Sequence, residues 1–186
     1  MPKLPQFSVF GNGEATYVPV ASYSDLRECV PSRGETVLVT TSCVLSAWEL
    51  MPVLIDPRNG HGTCLRAIIT SYNMSFEAVA GLEQMLSDGA IELADVIVSE
   101  AIRRMSDGGA VYGYLDALRE RFPGRVRWAR RRLHAKTIGL HMKTDLCYTV
   151  VGSGNMAHNT RHEAYVILTD GGAFMHLAHW VGELMR

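Results

Sequence analysis

HAKTIGLHMKTDLCYTVVGSGNMAHNTRHE, residues 134–163, is the stretch on which the reading of this 186-residue chain turns. Leu133–Leu140 and Leu146–Val151 are two apolar runs joined by a short polar turn, so they read as an antiparallel strand pair. His134 and Lys136 are two residues apart, and on a strand such side chains share a face. The second run ends in Gly152-Ser153-Gly154-Asn155. The open end of such a hairpin brings His134 and Lys136 beside Ser153 and Asn155. An imidazole, an ammonium, a hydroxyl and an amide then share one place. Glycine on both sides of Ser153 permits close backbone approach to a ligand. The set suits a phosphodiester: Lys neutralises an oxyanion, Ser and Asn donate hydrogen bonds, and His attacks phosphorus or moves protons. Glu163 is placed to accept the other ring N–H of His134 and fix its tautomer.

Outward from this hairpin, strand and helix patterns alternate. Strands are expected at 36–41, 64–70, 91–98, 126–129 and 164–169. Helices are expected from Ser22 towards Cys29, over Ala47–Ile55, from a Ser75 cap to about Ser87, over Val111–Phe122 and from Gly171 to Met185. Residues 99–109 suggest a short helix and a Gly108-Gly109 turn, and residues 1–20 an arm or short edge strands. The alternation predicts an α/β fold, an α/β/α layered sandwich, and the late hairpin makes its central sheet mixed. Length predicts a single domain over residues 1–186.

The charge is unevenly placed. Residues 119–136 hold eight Arg or Lys against one acid, Glu120, while the whole chain is at −1. Arg125, Arg127, Arg130, Arg131 and Arg132 thus form a local basic block, an electrostatic address for a polyanion such as nucleic acid. A solvated strand edge gives the same pattern. Trp128, inside the block, is either a stacking platform for a base or a core residue. An apolar fraction of 47% and a charged fraction of 20% exclude a disordered or collagen-like chain. No apolar run is long enough for a membrane span, and no secretory leader is visible, so the expected location is cytoplasmic. Cys29, Cys43, Cys64 and Cys147 show no metal-type spacing and read as reduced, inert thiols.

At His134-x-Lys136 and Gly152-Ser153-x-Asn155 the chain resembles the phospholipase D superfamily, over about residues 125–170, and the run GSGNMAHNTRHEAYVI is similar to nuclease-like members of phage type. The family's motif Asp is displaced: His141 stands five residues after Lys136, whereas Asp145 keeps six residues between itself and Gly152. Two extra residues per hairpin strand explain the shift, with Asp145 falling in the turn Lys143-Thr144-Asp145. The resemblance implies a phospholipase D-like fold and a metal-independent phosphodiesterase that uses no cofactor. It also implies a phosphohistidine intermediate and two copies of the motif. With one copy per chain, the site is then shared across a homodimer: His134 of one subunit is the nucleophile, and His134 of the other the general acid and base. Lys136, Ser153 and Asn155 would bind phosphate oxygens and Glu163 would orient the imidazole. The basic block points to a nuclease, with DNA ahead of RNA. The alternatives are a catalytically degenerate dimeric nucleic-acid-binding module and a phospholipase or transphosphatidylase.

Other histidines read more plainly. His158 with His162, and His176 with His179, have helical spacing for a metal but no completing ligands, so packing or exposure is the expectation. His141 is a strand-face residue, a second base or a substitute for the displaced Asp, Arg161 a further phosphate contact or the partner of an acid, and His61 has no visible partner.

Overall fold

The computed structural model describes residues 15–101, 108–157 and 162–186. Eight strands form one sheet: β1 (Ala15–Val20), β2 (Thr36–Thr41), β3 (Cys64–Ser71), β4 (Ile91–Ser99), β5 (Val126–Arg131), β6 (Thr137–Met142), β7 (Cys147–Gly152) and β8 (Ala164–Leu168). Their spatial order is β1-β2-β8-β7-β6-β3-β4-β5. Only β6 and β8 run against the other six, which follows from the antiparallel pairs on either side of each. The carboxyl ends of six strands therefore meet the amino ends of β6 and β8 along one edge.

The helices form where capping and apolar spacing agree. They are α1 (Leu50–Leu54), α2 (Phe76–Ser87), α3 (Gly108–Arg121) and α4 (Gly171–Leu184). Ser75 caps α2 by accepting from the Ala78 amide at 3.3 Å. Asp170 caps α4 through the amides of Gly172 and Ala173. Leu82 and Leu86 of α2, Leu115 and Leu118 of α3, and Leu50 and Met51 of α1 bury against Val39, Ile69, Val96 and Val98 on one sheet face. Phe174, Leu177 and Val181 of α4 bury against Ile68, Ile97 and Cys147 on the other. Fully burying each such side chain contributes about 1.5–3 kcal/mol. Gly139 of β6 has no side chain because α4 lies too close: a Cβ there would stand 2.8 Å from Leu177 Cδ2. The result is the expected mixed-sheet α/β/α arrangement, with the α4 face only partly covered among the described residues.

Strand and helix positions follow the sequence patterns closely, with one difference that matters. His134 and Lys136 precede β6 rather than lying on it, because the ladder with β3 begins at Thr70–Thr137. The hairpin turn is as read. Asp145 takes a left-handed conformation with φ 59°, its amide donates to the Met142 carbonyl at 3.0 Å, and the turn closes β6 onto β7. Part of the 99–109 expectation lies outside the described residues, as do His158, Arg161 and most of the amino-terminal arm. Residues 15–20 form an edge strand parallel to β2. No helix among the described residues is long and apolar enough to cross a membrane.

Candidate active site at the carboxyl edge of the sheet

The hairpin's open end lies on that edge. Thr137 pairs with Val151, and the Gly152 amide donates to the Lys136 carbonyl at 3.3 Å, so the His134–Lys136 segment runs beside Gly152. Thr137 is tied to the end of β3, its hydroxyl 2.8 Å from that of Thr70. His134 and Lys136 do converge although neither is on a strand: Lys136 Nζ lies 3.3 Å from His134 Nδ1 and 3.2 Å from the His134 carbonyl oxygen. An ammonium can only donate, so it addresses the unprotonated form of Nδ1.

Tyr72, just beyond β3, was not legible from sequence. Its ring centroid lies 4.8 Å from that of His134, and Lys136 Nζ stands 5.9 Å from its centre. The aromatic face thus backs both motif side chains.

Asn155 and Ser153 are held from two sides. The side-chain oxygen of Asn155 accepts from the Asn73 amide at 3.3 Å, and its carbonyl accepts from the Ala47 amide at 3.0 Å. That leaves the Asn155 amide hydrogens as its free donors. The following residue, Met156, donates its N–H to Ser71 Oγ at 3.0 Å, which stitches this loop to the end of β3. Ser153 extends the β7–β8 ladder, its amide donating to the Ala164 carbonyl at 3.0 Å. The Ser153 hydroxyl donates to the Glu163 carboxylate and accepts from the Ala164 amide. Glu163 therefore holds Ser153 within the protomer, not the His134 imidazole as expected. Its backbone is fixed by Thr41, whose hydroxyl accepts from the Glu163 amide at 3.0 Å.

The glycines flanking Ser153 have a reason that sequence could not supply. A Cβ on Gly152 would stand 2.2 Å from Tyr165 Cδ1, and one on Gly154 would stand 2.0 Å from Tyr165 Oη. Both glycines make room for a buried tyrosine. Tyr165 Oη has no hydrogen-bond partner among the described residues. Burial, reinforced by Glu163 and Glu49, pushes its phenol above the ordinary range.

The basic block divides. Arg125 is consumed structurally: it donates to the carbonyls of Glu92, Leu86 and Ile91 at 2.9–3.0 Å. Arg127 is paired with the buried Asp95 at 2.6 Å, which Arg66 grips from β3. That carboxylate holds the Arg127 guanidinium above its ordinary pKa. Both guanidiniums are thus engaged within the protein, although the Arg127 side chain remains 56% exposed. Trp128 is likewise structural, stacked 5.7 Å from the Tyr112 ring and donating to Asp116 at 3.1 Å. Arg130, Arg131 and Arg132 differ: with Tyr72 and His134 they line an open groove of about 1480 Å³. Arg132 approaches Glu100 only at 3.8 Å, a weak exposed pair.

Other described histidines make contacts of their own. His141 sits near the hairpin turn, 3.6 Å from Asp145, and His179 pairs with Glu183 on the outside of α4. His61 packs edge-on against Tyr148, and His162 Nδ1 is 2.9 Å from the Thr41 carbonyl oxygen.

No family model matches this sequence, and no curated protein matches it. Solved structures do match. A polyphosphate kinase from Porphyromonas gingivalis superposes with a TM-score of 0.56 at 11% identity, covering 78% of this chain and 25% of that one. A phosphatidylserine synthase from Haemophilus influenzae Rd KW20 superposes with a TM-score of 0.52 at 16% identity, covering 81% of this chain and 38% of that one. The chain thus spans between a quarter and two-fifths of the length of these structures. The fold of this chain is a phospholipase D-like fold.

Proposed function

We propose that the chain is a metal-independent phosphodiesterase that cleaves nucleic acid, DNA before RNA, through a phosphohistidine intermediate at a site shared by two copies. The observation that carries this reading is the meeting of His134 and Lys136, 3.3 Å apart, at the end of a groove lined by Arg130, Arg131 and Arg132. Ser153 and Asn155 stand at the open end of the same hairpin, and the phospholipase D-like fold supports phosphodiester chemistry there.

The steps balance as follows. A ring nitrogen of His134 attacks phosphorus with its lone pair, and the bond from phosphorus to the leaving oxygen breaks. His134 of the second copy, protonated, gives its proton to that oxygen. The now neutral imidazole then takes a proton from water as water attacks phosphorus, and the P–N bond breaks to regenerate His134. Lys136 neutralises the phosphate oxygens and the Asn155 amide donates to them, as does the Ser153 hydroxyl once its one hydrogen turns from the Glu163 carboxylate to the substrate; losing one such donor lowers the rate by about 10²–10³. Glu163 holds the Ser153 hydroxyl until then. Arg130, Arg131 and Arg132 hold the flanking phosphates.

The test is cleavage of DNA and RNA in excess EDTA by the wild type and by His134→Ala. Cleavage that persists in EDTA and vanishes in the variant supports the reading. Intact binding without cleavage by either protein assigns the chain to a binding module instead, and cleavage abolished by EDTA overturns the phosphohistidine chemistry.

A further inference from the structure

A second cavity, of about 690 Å³, lies at the end of α4 on the same face of the sheet. Arg66 and Asp95 stand in it, each two residues before an isoleucine that α4 buries, Ile68 on β3 and Ile97 on β4. Side chains two apart on a strand share a face. Arg127 joins them from β5, where it is paired with Asp95. Gly182 and Met185 at the end of α4 form one wall, and the turn at Gly124 another. Ser99 lines the groove at His134, and Asp95 lies four residues before it, about 13 Å along β4. The cavity and the groove share only Met185. The described chain begins at Ala15 on β1, five to seven strand spacings away, or about 24–34 Å. The two internal stretches outside the described residues adjoin the carboxyl edge.

The positive charge here exceeds what folding requires. Asp95 is the one acid among the lining residues, its side chain 4% exposed. A single guanidinium satisfies a buried carboxylate, yet Asp95 holds two. Arg66 donates to it through Nε at 2.9 Å and Nη2 at 2.6 Å, Arg127 through Nε at 2.6 Å and Nη2 at 2.9 Å. Each arginine thus spends one edge on Asp95. Nη1 of each makes no hydrogen bond among the described residues. The edge from Nη1 to Nη2 is left, a rigid fork matched to two phosphate oxygens. The Arg66 side chain is 29% exposed and that of Arg127 56%, so a ligand can reach both. Arg125, held on backbone carbonyls, and Arg186 bring two more cations to the walls.

The rest of the lining is apolar. Leu93 is paired with Arg66 across the sheet and is 43% exposed, with Met185 beside it in the same cavity. Small-molecule sites join such apolar surface to a few placed polar groups, in volumes of about 300–1,000 Å³. Two forks ask for more than a diester offers. A phosphomonoester carries a charge of about −1.5 to −2 and three acceptor oxygens.

We propose that this cavity is a second phosphate site, separate from the one at His134, and that it takes a small phosphomonoester of mononucleotide size. The forks of Arg66 and Arg127, set in place by Asp95, hold the terminal phosphate. Leu93 and Met185 carry the organic group. The site does not depend on the catalytic reading.

Calorimetric titration of the full chain with adenosine monophosphate, inorganic phosphate and adenosine tests this at fixed ionic strength. The wild type is expected to bind adenosine monophosphate more tightly than inorganic phosphate, and not to bind adenosine. Arg127→Lys and Arg66→Lys keep the charge beside Asp95 and remove a fork. Each is expected to weaken binding about tenfold or more, the worth of one charge-assisted hydrogen bond, with thermal unfolding near that of the wild type. Leu93→Ala is expected to weaken adenosine monophosphate and leave inorganic phosphate unchanged. Lys136→Ala, in the groove, is expected to leave this binding intact. No binding by the wild type, binding that both lysine variants retain, or binding that only Lys136→Ala abolishes overturns the site. Nuclease activity lost in His134→Ala, or never seen, bears on the catalytic reading alone.

Discussion

Replacing Gly154 by alanine puts a methyl group where the ring of Tyr165 already is. The added Cβ would stand 2.0 Å from Tyr165 Oη, 2.8 Å from Cζ and 3.2 Å from Cε1. Ordinary carbon contacts are about 3.5–4.0 Å, and the ring, 1% exposed, has no solvent to retreat into. Overpacking of this kind costs about 1–3 kcal/mol. The alanine recovers about 0.4–1 kcal/mol by stiffening the unfolded chain, which leaves a net loss of about 1.3 kcal/mol at the middle of these ranges. For a domain of this length that lowers Tm by about 3–5 °C. Tyr165→Phe alone removes a buried hydroxyl that has no partner, so its effect is neutral or stabilising by up to ~1 kcal/mol. In the double variant the shortest clash is gone and the Cζ clash remains, giving a coupling of about 1 kcal/mol. Urea unfolding of the four proteins measures all of this. A Gly154→Ala protein within 0.5 kcal/mol of wild type, or an additive cycle, refutes the argument. If instead turnover falls at unchanged Tm, the glycine serves ligand approach and the packing account is wrong.

The split in the basic block gives a paired prediction: Arg131→Ala leaves stability unchanged and weakens nucleic-acid binding, with the salt slope reduced by about 0.7–0.9. Arg127→Ala does the reverse, costing about 1 kcal/mol because the buried Asp95 keeps only Arg66; salt titrations and denaturation curves separate the two. Burial pushes the Cys64 thiol up to about 12 and the Cys29 thiol up to about 11. The folded state therefore keeps protons that the unfolded state, with thiols near the ordinary ~8.5, gives up. That stability is whole below about pH 8.5 and falls as pH rises towards the folded values. Unfolding curves at pH 8 and pH 10.5 should show the loss, and a Cys29→Ala, Cys64→Ala protein should show less of it.

Local grammar made the fold legible. Thr36–Thr41, Cys64–Ser71 and Ile91–Ser99 are apolar runs too short for helices and too buried for an amphipathic surface, so they could only be interior strands. Ser75 marked a helix start because an unpaired helix amide needs an acceptor; the cap of the last helix, Asp170, emerged only with the structure. The Lys143-Thr144-Asp145 turn was legible because Asp tolerates the left-handed conformation. What resisted reading was where a ladder stops. His134 and Lys136 continue the apolar alternation of β6, and nothing in their own residue types says that pairing with β3 starts only at Thr137. The reach of α4 across its face of the sheet was equally hidden. Leu38 and Val166 look like core in a sequence, and only the sheet order shows that no helix among the described residues covers them.

The candidate site shows the same boundary between what neighbours in sequence reveal and what neighbours in space decide. His134, Lys136, Ser153 and Asn155 could be grouped because a hairpin joins them, and a hairpin is a local device. Tyr72 could not be found, because it reaches the site from β3, more than sixty residues earlier. The five arginines were alike in sequence, yet their fates depend on what faces each one. Arg127 alternates inward onto Asp95 of the adjacent strand, a register fact. Arg125 reaches the carbonyls that α2 and β4 leave open. Arg131 is the last residue of β5, paired with Ser99, and Arg132 lies just beyond the ladder; both line the open groove. Glu163 is the most instructive case. Its carboxylate takes the one hydroxyl beside it within the protomer, so His134 keeps Lys136 and Tyr72 as its neighbours. Among the described residues the His134 imidazole is thus backed by a cation, and no carboxylate is paired with it. Under the proposed shared site, the charge that stabilises the imidazolium in acid catalysis has to come from elsewhere than Glu163 of the same protomer.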